Sequence, residues 1–367
     1  MCEGFFTADM TLGEVRRTFR MLLAECDNAF VRQTPALDAD VIICHFGGFS
    51  RTYLLTREDE QIPFYLAESL SIALDQRLSG LPVAYITNEK EFYGRPFYVD
   101  QNVLIPKPDT ELLVELATAD ARRRMSEMRI EPASRHVLRI ADICTGSGCI
   151  AISLLLEICG GGALNADDGL HCSEPGDGSP VTSGAPDTEI VATDISDGAL
   201  NVAKTNAGKL IPDRLLSHIS FLQGDLCTPL DTLSETPDCG HPVTERLFDI
   251  IVSNPPYVPA AVTDELLADG RGEPRLALDG DTDTAIPREP GDGSLVPVLS
   301  TDGLAIIRRL GPQVFRHLAP GGSFFLETGE YNAEAAAVYL ETVGFTDVRI
   351  HKDLAGQLRV TEAHRPL

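Results

Sequence analysis

From about residue 137 onward the chain alternates short apolar runs with stretches of helical period, and few architectures accommodate such a pattern. Residues 137–143 read as a strand and 149–158 as a helix. Residues 189–192 and 198–207 repeat the pair. Short apolar strands follow at 219–222 and 248–252. A helix over 304–318, a strand over 323–326, a helix over 333–343 and a strand over 346–350 complete the series. Strands alternating with helices predict an α/β fold with a doubly wound, mainly parallel sheet. In such sheets ligands bind outside the carboxyl ends of the strands, so the residues at those ends carry the functional information.

The segment before this pattern is different. Thr11 and Glu14 form a T-x-x-E capping box, and Leu12, Val15, Phe19, Leu22, Cys26 and Phe30 follow at steps of three and four. Residues 63–78 carry a second helical stripe. These stripes predict a small helical bundle, whose outer face is either a plain solvated surface or a partner-docking module. Residues 83–86, 91–93 and 96–99 are β-rich, with Asn88 and Gly94-Arg95 as turn signals. Pro106 and Pro108 then precede Asp109-Thr110-Glu111, a helix start. The expected organisation is a helical domain over 1–88, a β-hairpin linker over 89–106 and an α/β domain over 107–367. Two polar stretches, 159–188 and 281–301, are too long for ordinary connections and read as surface insertions.

Thirty Lys and Arg stand against fifty-five Asp and Glu, a net charge of −25. That balance argues against a surface that grips phosphate backbones, so direct nucleic-acid binding is not expected. No apolar run approaches the ~18 residues of a membrane span. The stretch from Met1 to Asp9 lacks the basic and apolar regions of a signal peptide. Nine cysteines without a C-x-x-C pair indicate neither a disulfide framework nor a metal ribbon. A cytoplasmic setting without a structural metal is expected.

Three strand ends carry chemistry. Asp142-Ile143-Cys144-Thr145-Gly146-Ser147-Gly148 lies between a strand and a helix, where glycines permit a tight turn and let a ligand approach backbone N–H groups. Gly146, Gly148 and Ala151 also satisfy the dinucleotide pattern G-x-G-x-x-G/A, and a purely structural turn is a third reading. Asp194 ends the next strand and can accept both hydroxyls of an adenosine ribose, in NAD or in S-adenosylmethionine, or it can cap the following helix. Asp225, followed by Leu226, ends the third strand and can face an adenine amino group or serve as a turn residue.

Asn254-Pro255-Pro256-Tyr257 decides among these readings. Two prolines remove two backbone donors and leave carbonyl acceptors, and the Asn side chain adds another oxygen. Together they can hold a planar –NH2 group by both hydrogens, with Tyr257 stacked on it. Such a nitrogen is a poor nucleophile, because its lone pair is delocalised. Accepting its protons returns electron density and aims it at an electrophile. A nicotinamide enzyme has no need of this arrangement, whereas a sulfonium methyl donor does.

With these motifs the chain resembles the HemK/PrmC family of release-factor glutamine methyltransferases. The likeness runs through Arg77-Leu78-Ser79-Gly80, Glu91-Phe92-Tyr93-Gly94, Pro106-Lys107-Pro108-Asp109-Thr110-Glu111 and the glycine loop. It continues through Asp194-Ile195-Ser196, Asn254 to Tyr257, Glu273-Pro274-Arg275-Leu276-Ala277-Leu278, Pro320-Gly321-Gly322 and Asp353-Leu354-Ala355-Gly356. Cys144 stands where the family usually has a different residue, and Glu327-Thr328-Gly329 replaces its E-I-G. The resemblance implies a class I methyltransferase fold with a seven-stranded sheet and a helical N-terminal domain. It implies S-adenosylmethionine as cofactor and the glutamine of the Gly-Gly-Gln motif of class 1 peptide-chain release factors as methyl acceptor. On it, Cys144, Thr145, Gly146, Ser147 and Gly148 wrap the methionine end of the cofactor. Asp194 binds the ribose, and Asp225 and Leu226 border the adenine. Asn254, Pro255, Pro256 and Tyr257 are the catalytic and substrate-binding residues, Asn254 also bordering the cofactor, and the helical domain helps to dock the release factor. A glutamine methyltransferase of a ribosomal protein would use the same residues. An adenine-N6 methyltransferase of nucleic acid would need a basic groove, and a non-catalytic cofactor-bound adaptor would show damage to these motifs.

Overall fold

The computed structural model describes residues 5–128, 137–159, 188–233, 246–268, 270, 272–281, 285–287, 295–297 and 301–367. Helix α1 (Leu12–Ala24) begins on the expected capping box: Glu14 N donates to Thr11 Oγ1 at 3.2 Å, and Thr11 N donates to Glu14 Oε2 at 2.9 Å. Two hydrogen bonds thus satisfy two of the donors that a helix start leaves open. Helices α2 (Pro35–Gly47), α3 (Arg51–Thr56) and α4 (Phe64–Leu78) pack on α1 around Val15, Phe19, Leu23, Ile42, Ile43, Leu70 and Leu74, all buried. Inside this bundle Arg77 is 2% exposed. Its Nε donates to Asp38 Oδ2 at 2.8 Å and its guanidinium lies 4.8 Å from the Phe30 ring centroid.

Residues 83–86, expected as strand, instead form the short helix α5 (Val83–Thr87). Pro82 starts the turn, its carbonyl accepting from the N–H groups of Tyr85 and Ile86, and Asn88 stops it with φ 52°. Proline's fixed φ and Asn's tolerance of the left-handed region override the β preference of the residues between. The hairpin follows as β1 (Glu89–Phe92) and β2 (Arg95–Tyr98), joined by Tyr93 and Gly94, both at positive φ. Two such residues make the turn whose twist suits a two-residue hairpin. Glu111 fastens it by accepting from Tyr93 N at 2.7 Å. Glu111 also opens helix α6 (Glu111–Met128).

The sheet is built from β3 (Leu138–Ile143), β4 (Thr188–Asp194), β5 (Ile219–Gln223), β6 (Phe248–Ser253), β9 (Leu318–Glu327), β10 (Thr346–Lys352) and β11 (Leu358–His364). Its order is β10-β11-β9-β6-β3-β4-β5, seven strands as the family resemblance implies. Strands β5, β4, β3, β6 and β9 run parallel, and β11 pairs antiparallel with both of its neighbours. Helices α7 (Cys149–Cys159), α8 (Asp197–Leu210), α9 (Asp213–Leu216), α10 (Ala260–Leu267), α11 (Ala305–His317) and α12 (Ala333–Val343) complete the wound domain. The period-two pleat divides its core. Leu138 and Ile140 of β3 join one apolar cluster with α6 and α7, while Ala141 and Ile143 join another with α11 and α12. Both faces of the sheet are therefore covered, which is why its strands read as continuous apolar runs.

Of the expected insertions, residues 160–187 lie outside the described residues. Within 281–301 the chain carries a small antiparallel ladder, β7 (Ala285–Pro287) with β8 (Leu295–Pro297). No helix among the described residues is long and apolar enough to cross a membrane.

Candidate active site

The carboxyl ends of β3, β4, β5 and β6 face a cavity of about 450 Å³, within the size range of small-molecule sites. After β3, Cys144, Gly146 and Gly148 take φ values of 64°, 55° and 78° and swing the chain into α7. A Cβ on Gly148 would lie 3.1 Å from atoms of Ala203 and Ile152, so glycine there lets α8 approach the loop closely. Asp142 braces the turn from below: its Oδ2 accepts from Thr145 Oγ1 at 2.6 Å and from Ala151 N at 3.2 Å. Its Oδ1 is buried with no hydrogen-bond partner among the described residues, and burial pushes the carboxyl's pKa up to about 7.

Asp194, at the end of β4, accepts from Gly146 N through Oδ2 and from Ser196 N through Oδ1, each at 2.9 Å. Burial holds its pKa above the usual carboxylate value, an effect that the backbone N–H groups offset only in part. The helix start at α8 is capped by Ser196, which accepts from Ala199 N, so Asp194 is not that helix's N-cap. Asp225 and Leu226 also line the cavity, but the Asp225 carboxylate is ion-paired with Arg309 of α11. Leu226 has φ 53° and its carbonyl accepts from Thr193 Oγ1 at 3.0 Å.

The loop after β6 places Asn254 and Pro256 on the cavity wall. Asn254 Nδ2 donates to Thr110 Oγ1 at 3.3 Å, and among the described residues its Oδ1 is left as an open acceptor. Pro255 is buried. Tyr257 is half-buried, and its hydroxyl donates to Glu327 Oε1 at 3.3 Å. Burial and the Glu327 carboxyl raise the phenol's pKa, so Tyr257 stays a neutral donor. Asn332 Nδ2 and Tyr331 Oη donate to the Tyr257 carbonyl at 2.9 and 3.3 Å. Gly280 and Gly303 press on the same backbone: an added Cβ would fall 2.8 Å from Tyr257 Cα and 2.1 Å from Tyr257 O, respectively. Asp281, counted with the polar insertion from sequence, is 8% exposed and belongs to this scaffold. Its Oδ1 accepts from Gly303 N at 2.8 Å and its Oδ2 from Ala260 N at 3.2 Å.

The cavity thus gathers Cys144, Thr145, Gly146, Ser147, Asp194, Asp225, Leu226, Asn254 and Pro256. Gly148, Pro255 and Tyr257 stand behind that wall. Sequence reasoning missed the groups supplied from elsewhere in the chain. Lys107 borders the cavity and pairs with buried Glu273 at 2.7 Å. Asn206 ties the hairpin to the glycine loop: Oδ1 accepts from Tyr98 N at 2.7 Å, and Nδ2 reaches the carbonyls of Tyr98 and Ser147, each at 2.9 Å. Glu327 had a visible signal, an acidic residue closing an apolar strand, the same signal that singled out Asp194. The thiols of Cys144, Cys149 and Cys227 are all pushed up by burial, the latter two to about 12, so they are inert at neutral pH.

A glycine loop after the first strand of the sheet, a carboxylate after the second, an N-P-P-Y loop after the fourth and a seven-stranded sheet with one reversed strand define a class I methyltransferase. Comparison with known proteins narrows this. The PrmC N-terminal domain family matches residues 14–87. A release factor glutamine methyltransferase of Burkholderia pseudomallei is 35% identical over 342 residues, 92% of this chain and 95% of that protein. Its counterparts in Moorella thermoacetica and Neisseria gonorrhoeae are 32% and 33% identical, over 91% and 89% of this chain and 92% of each of theirs. The chain belongs to the release factor glutamine methyltransferase family.

Proposed function

We propose that this enzyme transfers a methyl group from S-adenosylmethionine to the side-chain amide nitrogen of the glutamine in the Gly-Gly-Gln motif of class 1 release factors. The observation that carries the reading is the orientation of Asn254. Its amide hydrogens are turned to Thr110, so its oxygen is left to accept from a substrate –NH2 at the cavity wall. The names of the relatives supply the acceptor's identity.

The residues present fit the cofactor. Both Asp194 oxygens accept one backbone N–H each and retain lone pairs for a ribose diol. An added Cβ on Gly146 meets nothing within 4 Å, so that face of the loop is open to a ligand. S-adenosylmethionine supplies an electrophilic methyl group on a sulfonium. Cys144 to Gly148 would hold its methionine end, Asp194 its ribose, and Asp225 and Leu226 the adenine border.

The chain's own contribution to the reaction is positioning. Asn254 Oδ1 and the Pro255 carbonyl accept the two amide hydrogens, withdraw the nitrogen lone pair from resonance and aim it at the electrophile. Proximity and alignment of this kind account for a large part of enzymatic acceleration. The proton is lost from an increasingly acidic nitrogen, so no strong base is required. The helical domain and the exposed side chain of Leu276 on the cavity wall offer apolar contact to a protein substrate.

The test is mass spectrometry of the Gly-Gly-Gln peptide after incubating the organism's release factor with this protein and S-adenosylmethionine. One added methyl on that glutamine is the expected result. An unmodified peptide with the cofactor demonstrably bound overturns the substrate assignment.

A further inference from the structure

Glu327 is 1% exposed at the end of β9, and nothing in the transfer reaction as described uses it. A buried carboxyl is costly unless its oxygens are matched with donors. Oε1 accepts from the Tyr257 hydroxyl, and Oε2 has no hydrogen-bond partner among the described residues. The Thr110 hydroxyl stands beside the carboxyl and favours its charged form. Thr110 Oγ1 already accepts from Asn254 Nδ2, so its own proton is available to the carboxylate. The other charged and titratable groups facing Glu327 are Arg359 from β11, Asp109 from the turn before α6, and Cys149 from α7.

We propose that Glu327 is a positioning residue: acting through the Tyr257 and Thr110 hydroxyls, its carboxylate fixes the Asn254 amide with its oxygen toward the substrate. This rests on the amide-methylation reading above. An ionised Glu327 only accepts, so both hydroxyls point their protons at it and Thr110 offers Asn254 lone pairs alone. A protonated Glu327 can donate to Thr110 instead. The Thr110 proton is then released to compete for Asn254 Oδ1, the oxygen that the substrate amide needs. Burial lifts this carboxyl's pKa to about 7, so the change between the two states falls in the neutral range.

The experiment compares the full-length protein with Glu327→Ala, Glu327→Gln and Thr110→Val. The first readout is the 15N-labelled side-chain amide of Asn254, followed by NMR hydrogen exchange without substrate. The second is the pH profile of methyl transfer. In Glu327→Ala and Thr110→Val the Asn254 amide should lose protection. Their kcat should fall on the order of 10²-fold, as expected for a misaligned reactant, with cofactor Kd and the KM for the protein little changed. Wild-type kcat should drop as pH falls through about 7. Glu327→Gln should sit at the low plateau without that step. Unchanged Asn254 protection in folded Glu327→Ala overturns the inference, as does a wild-type step retained in Glu327→Gln. If Glu327→Ala does not fold, Thr110→Val and Glu327→Gln decide by the same readouts. Failure of the wild type to methylate the release factor would overturn the functional reading while leaving the Asn254 amide test intact.

Discussion

Asp142, wholly buried with one oxygen unpartnered among the described residues, burdens the folded state more as pH rises. Its pKa is about 7 in the folded chain against 3.8 for a free side chain. Below both values the group is protonated in either state and its stabilising effect is complete. Between them the unfolded chain releases a proton that the folded chain keeps, so stability drains away until pH passes about 7. Asp142→Asn removes the titration while keeping an oxygen for Thr145 and Ala151. Without cofactor, wild-type Tm should fall relative to the variant between pH 4 and 7 and run parallel above; parallel curves throughout would refute it. At the Asn254 site, Asn254→Ala should abolish glutamine methylation while calorimetry still detects cofactor binding. Residual transfer near the wild-type rate would remove its amide-holding role. Much of this scale was legible in sequence, because the glycine loop, Asp194 and N-P-P-Y are contiguous words at strand ends. Their supports were not. Thr110 lies 144 residues from Asn254, and Glu327 lies 70 from Tyr257, so only folding brings them together.

Elements show the same division between local and distant information. The capping box of α1 depends on residues three apart and was readable, whereas α5 was misread because Pro82 and Asn88 outweigh the β preference between them. Strand β11 follows the turn from Asp353 to Gly356, yet only its antiparallel pairing with β9 and β10 fixes it as part of the sheet. Arg77 at the end of α4 holds Asp38 of α2 inside the bundle. Arg77→Ala leaves that carboxylate buried without its partner and should cost about 3–5 kcal/mol, measured by denaturant unfolding of the full chain. A cost below 1 kcal/mol would mean that water reaches Asp38 freely. At the N-P-P-Y loop, Gly303 combines φ 74° with direct contact to the Tyr257 carbonyl. Gly303→Ala should therefore displace the loop and cut kcat while far-UV dichroism stays native. Normal turnover would show that the loop yields without consequence.

At the scale of the whole molecule, the bundle and the wound domain have separate cores, and a small cluster joins them. Tyr85, Val99 and Val103 pack there on Ala199 and Val202 of α8, and the Tyr85 hydroxyl donates to the Val103 carbonyl. Weakening that bridge should uncouple the two parts: Val103→Ala should broaden or split the calorimetric unfolding transition. A single sharp transition at lower temperature would instead mean that the cores unfold together. The change of pattern near residue 81 was visible in sequence, but the bridge was not, since its members come from three separate segments: α5, the stretch after β2, and α8. A last consequence follows from Asp281 and Gly303, which touch although 22 residues separate them. The chain between them is closed at its base, and loop-closure entropy changes by only about 0.6 kcal/mol per doubling of length. Changing the length of that span should therefore cost little stability, which thermal unfolding of insertion variants would show. For the same reason it is the place to graft an affinity tag or a dye that reports on a working enzyme.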